Sequence, residues 1–538
     1  MSSTSVTGAA MAGGRHAQGP AGGRLRGRVL WIAGTAVAGA ALFAAYLLQS
    51  RTVSVGSDGA SQALQAWDML HGNPLLHGWW VTDVSFYTTE LPQYMLIEAA
   101  RGLSSDVMHI GGAMSYTLLV LLAAFLARGR ARGAAGLTRA LVAAGIMLAP
   151  QLGSGTGTLV LSPDHTGTGV PVLLVLLLID LAPARWWVPV LAGLGLAVTV
   201  LADAMALFVV VIPLALVCAI RVFQGIVRHG ERLRDRWYEL SLGAAAVVSV
   251  PVEMAATALI RAHGGWQVHG LRTALAGGAM LPGNLRLTGE GLLELFGADF
   301  IGAGSARAVV FALIHLAGVV LVGTAFCVAV RRFFRRDMFI EPVLVLGIVI
   351  DVGAYVAGVQ AVNMLSTREI APVLPFAAVL AGRLAGMSVA RLKPLRYGLA
   401  AVLVCYAGML GYAAAQPAAA PQYADLTAWL TSHHLTSGIS GYSQANIVTA
   451  SSGGTVSLRP VAAGGSGGKY VTARTWNASS TWFDPAKHHA DFLVLSTFGA
   501  YEVSGADAVA TFGRPARVYR YRDYTIMVWH ENLLARLR

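Results

Sequence analysis

Apolar stretches near the length needed to cross a bilayer recur from about residue 29 to about residue 415, separated by Arg-rich or Gly/Pro/polar connectors. A chain built this way folds in lipid as helices, because each spanning segment must satisfy its own backbone hydrogen bonds. Spans are expected at roughly 29–49, 107–127, 139–154, 168–182, 186–202, 204–222, 238–260, 308–330, 340–360, 369–389 and 397–415, about eleven in all. The composition agrees: of 538 residues 55% are hydrophobic and only 12% charged, with a mean hydropathy of +0.60.

The net charge of +12 does not mark a nucleic-acid binder, because the basic residues sit in short connectors rather than on one face. With the N-terminus inside, cytoplasmic segments collect Arg24, Arg26 and Arg28, then Arg128, Arg130 and Arg132, then Arg232, Arg234 and Arg236, then Arg331, Arg332, Arg335 and Arg336. With Arg15, Arg139, Arg185, Arg221, Arg228, Arg391, Lys393 and Arg396 they come to 21, against seven in the outer loops, which orients the chain by the positive-inside rule. An odd number of spans puts the C-terminus outside. Residues 1–28 are Gly/Ala/Ser/Arg-rich without an apolar face, the composition of a disordered cytoplasmic tail. The apolar run that follows has no small-residue cleavage site and reads as a first span. Cys218, Cys327 and Cys405 all fall in expected spans, which leaves the C-terminal domain no thiol for a disulfide.

After Gln416-Pro417 the pattern changes. Residues 417–538, about 120 of them, are enough for a core of their own. A helical stretch is expected from Tyr423 to His434, and strands at Asn446–Ala450, Thr455–Val461, Asp491–Ser496, Arg517–Tyr521 and Thr525–His530. The fold class is thus a polytopic α-helical membrane protein with a C-terminal extracytoplasmic α/β domain. The Asn477-Ala478-Ser479 sequon is short enough to arise by chance and carries no argument.

The first outer loop, about 57 residues from Ser50 to Asp106, is far longer than a turn needs, and loops of that size are commonly functional. Ala60, Ala63, Leu64, Trp67 and Leu70 share one helical face, which suits a helix lying along the membrane surface. A second helix follows Phe86-Tyr87-Thr88-Thr89-Glu90-Leu91-Pro92. Asp58, Asp83 and Glu90 therefore lie near one membrane surface among aromatic rings. Ser162-Pro163-Asp164-His165 places an Asp–His pair in a short loop on that side, suited to a phosphate, a proton or a metal, although Pro-Asp is also ordinary turn chemistry. Asp203 stands at the outer junction of two close spans, where it can face the same cavity or simply close a tight hairpin. Glu253 and Asp351 lie within spans and are costly there unless paired or facing water. His433-His434 and His488-His489 read as surface residues. The loop from Arg261 to Arg307, with His263, Trp266, His269 and Arg272, is a second long outer excursion.

A first span followed at once by an acidic outer loop, then juxtamembrane helices, many further spans and a soluble C-terminal domain resembles the GT-C membrane glycosyltransferases, among them protein O-mannosyltransferases and aminoarabinose transferases. Gly72-Asn73-Pro74-Leu75-Leu76 is similar to their first loop. Thr367-Arg368-Glu369-Ile370-Ala371-Pro372 is similar to an Arg-Tyr-x-x-Pro pattern, with Glu369 in place of the Tyr. The resemblance implies a polyprenyl-phosphate-linked sugar as donor and an extracytoplasmic acceptor, whether a cell-wall glycan, a lipid or a protein. It implies Asp58 as catalytic base; Asp83, Glu90, Asp164, His165, Asp203 and Arg368 are, from their own placement, the candidates for binding substrate. Desolvation at a membrane interface raises a carboxylate's pKa and suits it to take a hydroxyl proton, and Arg368 suits a leaving phosphate. Asp58 also fits a helix N-cap, since Ser57-Asp58-Gly59 precedes a helical pattern. The residues leave open whether a divalent metal takes part. A transporter or flippase, and a non-catalytic scaffold with an outer binding domain, are the alternative readings.

Overall fold

The computed structural model describes residues 21–268, 274–465, 469–496 and 503–537. His269 and Arg272 fall outside these, as do residues 1–20 of the expected tail. Among the described residues eighteen α-helices follow the chain: α1 (Ala21–Ser50), α2 (Ser57–Leu70), α3 (Glu90–Arg101), α4 (Asp106–Arg128), α5 (Gly133–Met147), α6 (Ser154–Leu159), α7 (His165–Leu181), α8 (Trp187–Ala202), α9 (Ile212–His229), α10 (Trp237–Ala262), α11 (Leu281–Leu295), α12 (Ala306–Arg331), α13 (Ile340–Ala357), α14 (Val373–Arg391), α15 (Lys393–Ala414), α16 (Ala424–Ser432), α17 (Tyr442–Ser451) and α18 (Gly505–Phe512). Among the described residues eight helical segments are long and apolar enough to cross a membrane, and α5, α7 and α8 are shorter apolar helices. The eight and the three correspond to the expected spans.

Helix α1 begins inside the range expected to be tail. Its part up to Leu42 forms a unit of its own, and residues from Phe43 onward form a second. In that second unit α4 and α14 are the most deeply buried of the long apolar helices. Small residues let α14 approach closely: a Cβ on Gly382 would meet the Arg139 carbonyl and the Ala127 and Ala143 side chains of α4 and α5. The span expected at 139–154 is displaced, because α5 ends at Met147 and Leu148–Pro150 leaves the helix before Gln151.

The C-terminal part is a six-stranded sheet. Its strands are β3 (Ser437–Gly441), β4 (Ser457–Gly464), β5 (Tyr470–Ala473), β7 (Phe492–Ser496), β8 (Arg517–Tyr521) and β9 (Tyr524–Val528), in the order β5-β4-β3-β7-β9-β8. Strand β3 pairs in parallel with both β4 and β7, and the other pairs are antiparallel. The strand expected at Asn446–Ala450 is instead part of α17. Its β-branched residues obey helical spacing in the fold. Ile447 and Ala450 bury against the first loop, while Ala445 and Val448 bury against the sheet.

The first loop does not lie free along a surface. Gly59 through Ala66 of α2 are all buried, and Ala60, Ala63, Leu64 and Ala66 share one core with Tyr94 of α3, Met108 of α4 and Ile447 of α17. A three-stranded sheet seals this arrangement. In it β1 (Trp79–Val81) from the first loop lies between β2 (Gln267–Val268) and β6 (Ala478–Ser479), so three segments far apart in sequence are hydrogen-bonded side by side.

Candidate functional site

The start of α2 puts Asp58 against the C-terminal part. The helix N-cap is Gly56, and Asp58 sits in the first turn without capping it, so the capping role open from sequence is not the one it plays. Its Oδ1 accepts a hydrogen bond from the Tyr442 hydroxyl at 2.5 Å and one from Asn477 Nδ2 at 3.5 Å. Asn477 also donates to the Tyr442 oxygen at 2.8 Å. Asn477 is fully buried, with φ of 55° in the left-handed region that Asn tolerates. Its carbonyl accepts from Ser61 at 2.6 Å and its side-chain oxygen from Gln65 at 3.1 Å. Above this cluster the Arg474 guanidinium lies 4.3 Å from the Tyr442 ring centre and 5.1 Å from that of Trp476.

A second group forms where α7 begins. Asp164 caps α7 by accepting from the His165 backbone N–H at 2.8 Å. The His165 ring bridges two carboxylates: Nδ1 is 2.6 Å from Asp203 Oδ2, and Nε2 is 3.3 Å from Glu369 Oε2. Asp203 ends α8 and accepts from Thr168 at 2.6 Å and from the Met205 backbone at 2.9 Å. Burial pushes its carboxyl up, but the charge and hydrogen bond of His165 outweigh this and hold it below the ordinary range. Glu369 follows the same logic, with burial opposed by His165 and then Arg368, and is also held low.

Two other carboxyls go the opposite way. Burial pushes Asp164 up to about 7, opposed by His165 and Arg368. Burial likewise pushes Glu90 up to about 8. Glu90 is 1% exposed and packs onto the first turn of α7, where a Cβ on Gly167 would overlap its Oε1. The α2 start and the Pro163 turn also touch, since Gly59 lies against Pro163 and Met108.

Arg368 ties the two groups together. It is half-exposed on the short 3-10 helix Met364–Ile370, and the negative field of Asp164, Glu369, Asp58 and Asp83 strengthens its hold on its proton against the cost of burial. Its ion-pair partner among the described residues is Glu369, at 3.9 Å. Asp83, exposed at the rim, lies within electrostatic reach of Glu369, His165 and Asp203. Asp351 of α13, buried with Oδ2 lacking a hydrogen-bond partner, reaches the same three groups.

All seven residues singled out from sequence, Asp58, Asp83, Glu90, Asp164, His165, Asp203 and Arg368, thus meet in one charged region. Glu253 does not join it; it accepts from Thr257 within its own helix at 2.8 Å. His433 is stacked on Trp429, with ring centres 3.8 Å apart, away from this chemistry. Sequence reasoning named Glu369 only as a departure from a pattern, and the structure makes it the second carboxylate on His165. Tyr442 carried no local signal, and Asn477 stood out only as part of a sequon that carries no argument. Among the described residues no three His, Cys, Asp or Glu side chains are arranged to hold a metal ion.

The fold and site define a polytopic helical membrane protein whose C-terminal α/β part closes over a charged first-loop site. No family model and no curated protein matches the chain. Among solved structures it is similar to the oligosaccharyltransferase of Archaeoglobus fulgidus tethered to an acceptor peptide containing the NVT sequon, at 12% identity and a TM-score of 0.44, over 85% of this chain and 69% of that one. The apo form of that enzyme gives 12% identity and a TM-score of 0.43, over 86% and 69%.

Proposed function

We propose that this chain is a membrane glycosyltransferase of GT-C type that moves a sugar from a polyprenyl-phosphate donor to an acceptor hydroxyl on the side of its C-terminal part, outside the cytoplasm. The observation that supports this reading is Arg368, half-exposed, 3.9 Å from Glu369 and within the electrostatic field of Asp164, Asp58 and Asp83. A guanidinium so placed offers planar donors to a phosphate while the carboxylates around it supply bases.

In this reading Asp58 takes the acceptor proton as the acceptor oxygen attacks the anomeric carbon. Tyr442 and Asn477 hold its Oδ1, which turns Oδ2 to the acceptor. The bond from the anomeric carbon to the phosphate oxygen breaks, and Arg368 stabilises the charge that develops there. The Asp203–His165–Glu369 chain fixes the segment that carries Arg368, since Glu369 is its neighbour in sequence.

The reading is tested by incubating purified protein in nanodiscs with a panel of radiolabelled polyprenyl-phosphate sugars and comparing wild type with Asp58→Asn. Transfer by wild type that nearly vanishes in a folded Asp58→Asn protein supports it. No transfer with any donor, in a protein shown to be folded, counts against it.

A further inference from the structure

A second polar cavity lies at the other ends of the helices that carry the site. His165 opens α7 beside Asp203, and Asp180 closes it; the 17 residues of α7 span about 25 Å. Around Asp180 a cavity of about 840 Å³ opens between the α4–α5 connector and the starts of α10 and α13. It takes no part in the chemistry proposed above.

Its charges can be followed one by one. Arg383 of α14 grips both oxygens of Asp180, at 3.0 and 3.1 Å, and donates to Glu341 at 2.7 Å. Asp337 is occupied by Arg335 at 3.1 Å. Arg130 donates only to neutral groups, the carbonyls of Asp180 and Ala182, at 2.9 and 3.0 Å. Arg139 has a buried Nε without a hydrogen-bond partner and no carboxylate within ion-pairing distance among the described residues. Its stem is held by Gly386, where an added Cβ would stand 2.6 Å from Arg139 Cγ. Three guanidiniums therefore face two carboxylates, and the cavity keeps one positive charge over. Part of its lining is apolar, formed by Ile179, Pro183, Phe339 and Ile340.

We infer that this cavity binds the headgroup of an anionic phospholipid, its monoanionic phosphodiester on Arg139 and Arg130 and its glycerol against the apolar part of the lining. A burial-starved guanidinium beside apolar side chains at the end of a helix bundle suits an amphiphile better than a soluble ion. The charge of a phosphodiester matches the single positive charge left over.

Native mass spectrometry of the full chain in detergent micelles containing equal phosphatidylglycerol and phosphatidylcholine tests this. One phosphatidylglycerol is expected to be retained in preference to phosphatidylcholine, to survive excess inorganic phosphate, and to be held about tenfold less well after Arg139→Gln. Arg130→Gln is the second variant, with the same expectation, in case Arg139→Gln does not fold. Equal retention of the two lipids, displacement by inorganic phosphate, or undiminished retention in a folded variant would each overturn the assignment.

Discussion

The Tyr442 hydroxyl donates to Asp58 Oδ1 at 2.5 Å across a separation of 384 residues, so the C-terminal part supplies a partner to the first-loop carboxylate. Tyr442 is otherwise packed against Trp476 at 5.3 Å between ring centres and under Arg474, and its ring does not depend on the hydroxyl. Tyr442→Phe should therefore fold normally and lose about 1.5–3 kcal/mol of support for the carboxylate, the range for a hydrogen bond to a charged group. Because the same bond orients the carboxylate towards the acceptor, kcat is expected to fall roughly 10-fold or more with little change in KM. Unchanged kcat in a folded Tyr442→Phe protein would remove Tyr442 from the reaction.

Arg368 should behave as an electrostatic group. Arg368→Gln is expected to cost about 10²–10³ in kcat, the range for losing one preorganised donor at a developing charge. Arg368→Lys should recover only part of it, because an ammonium restores charge without the planar fork. Equal activity of the Gln and Lys variants in a donor-transfer assay would speak against a charge role.

A pH effect on stability follows from Glu98. It lies on α3, is 2% exposed, and neither carboxyl oxygen has a hydrogen-bond partner; burial pushes its pKa from 4.5 up to about 9. The folded state therefore keeps the proton that the unfolded chain gives up above pH 4.5. Its contribution to stability is complete below about 4.5 and is lost progressively as pH rises towards 9. Glu98→Gln, which cannot ionise, should flatten that decline, and thermal melts in detergent from pH 5 to 9 would show the variant gaining several degrees over wild type at the alkaline end. Parallel curves for the two proteins would refute the assignment.

Asp180, Arg383 and Glu341 lock α7, α14 and α13 together with little exposure of any side chain. Asp180→Ala takes one of two carboxylates from the buried Arg383 guanidinium and leaves it with Glu341, so it should destabilise the protein by about 3 kcal/mol. A melting temperature within a degree of wild type would show the network to be dispensable.

Much of this was legible in the sequence, for identifiable reasons. Hydropathy reports on the lipid-facing helices directly, which is why the spans stand where the apolar runs do. The charged residues were conspicuous because Asp164, His165, Asp203 and Arg368 sit at the ends of apolar segments, where a charge is expensive without a purpose. The misread segment at Asn446–Ala450 shows the opposite case: Ile447, Val448 and Thr449 favour a strand locally, but α17 has two cores to satisfy, and only a helix presents residues three apart to each. The roles of Tyr442 and Asn477 were invisible for a different reason. Their meaning comes from Asp58, and nothing near them in the chain announces it.

The sheet β2-β1-β6 has a consequence for how such a molecule is made. Trp79 and Trp80 leave the ribosome long before Ala478 and Ser479, with which they pair. At about 5–20 residues per second the wait is roughly 20–80 s. During that interval the loop has its aromatic residues and its acids but not its closing strand, so a newborn chain passes through the membrane with its site open and unfinished. On the proposed function, transfer can begin only when synthesis is nearly over, and a chain cut short after the last span would lack Ala478 and Ser479 and with them the closing strand of this sheet.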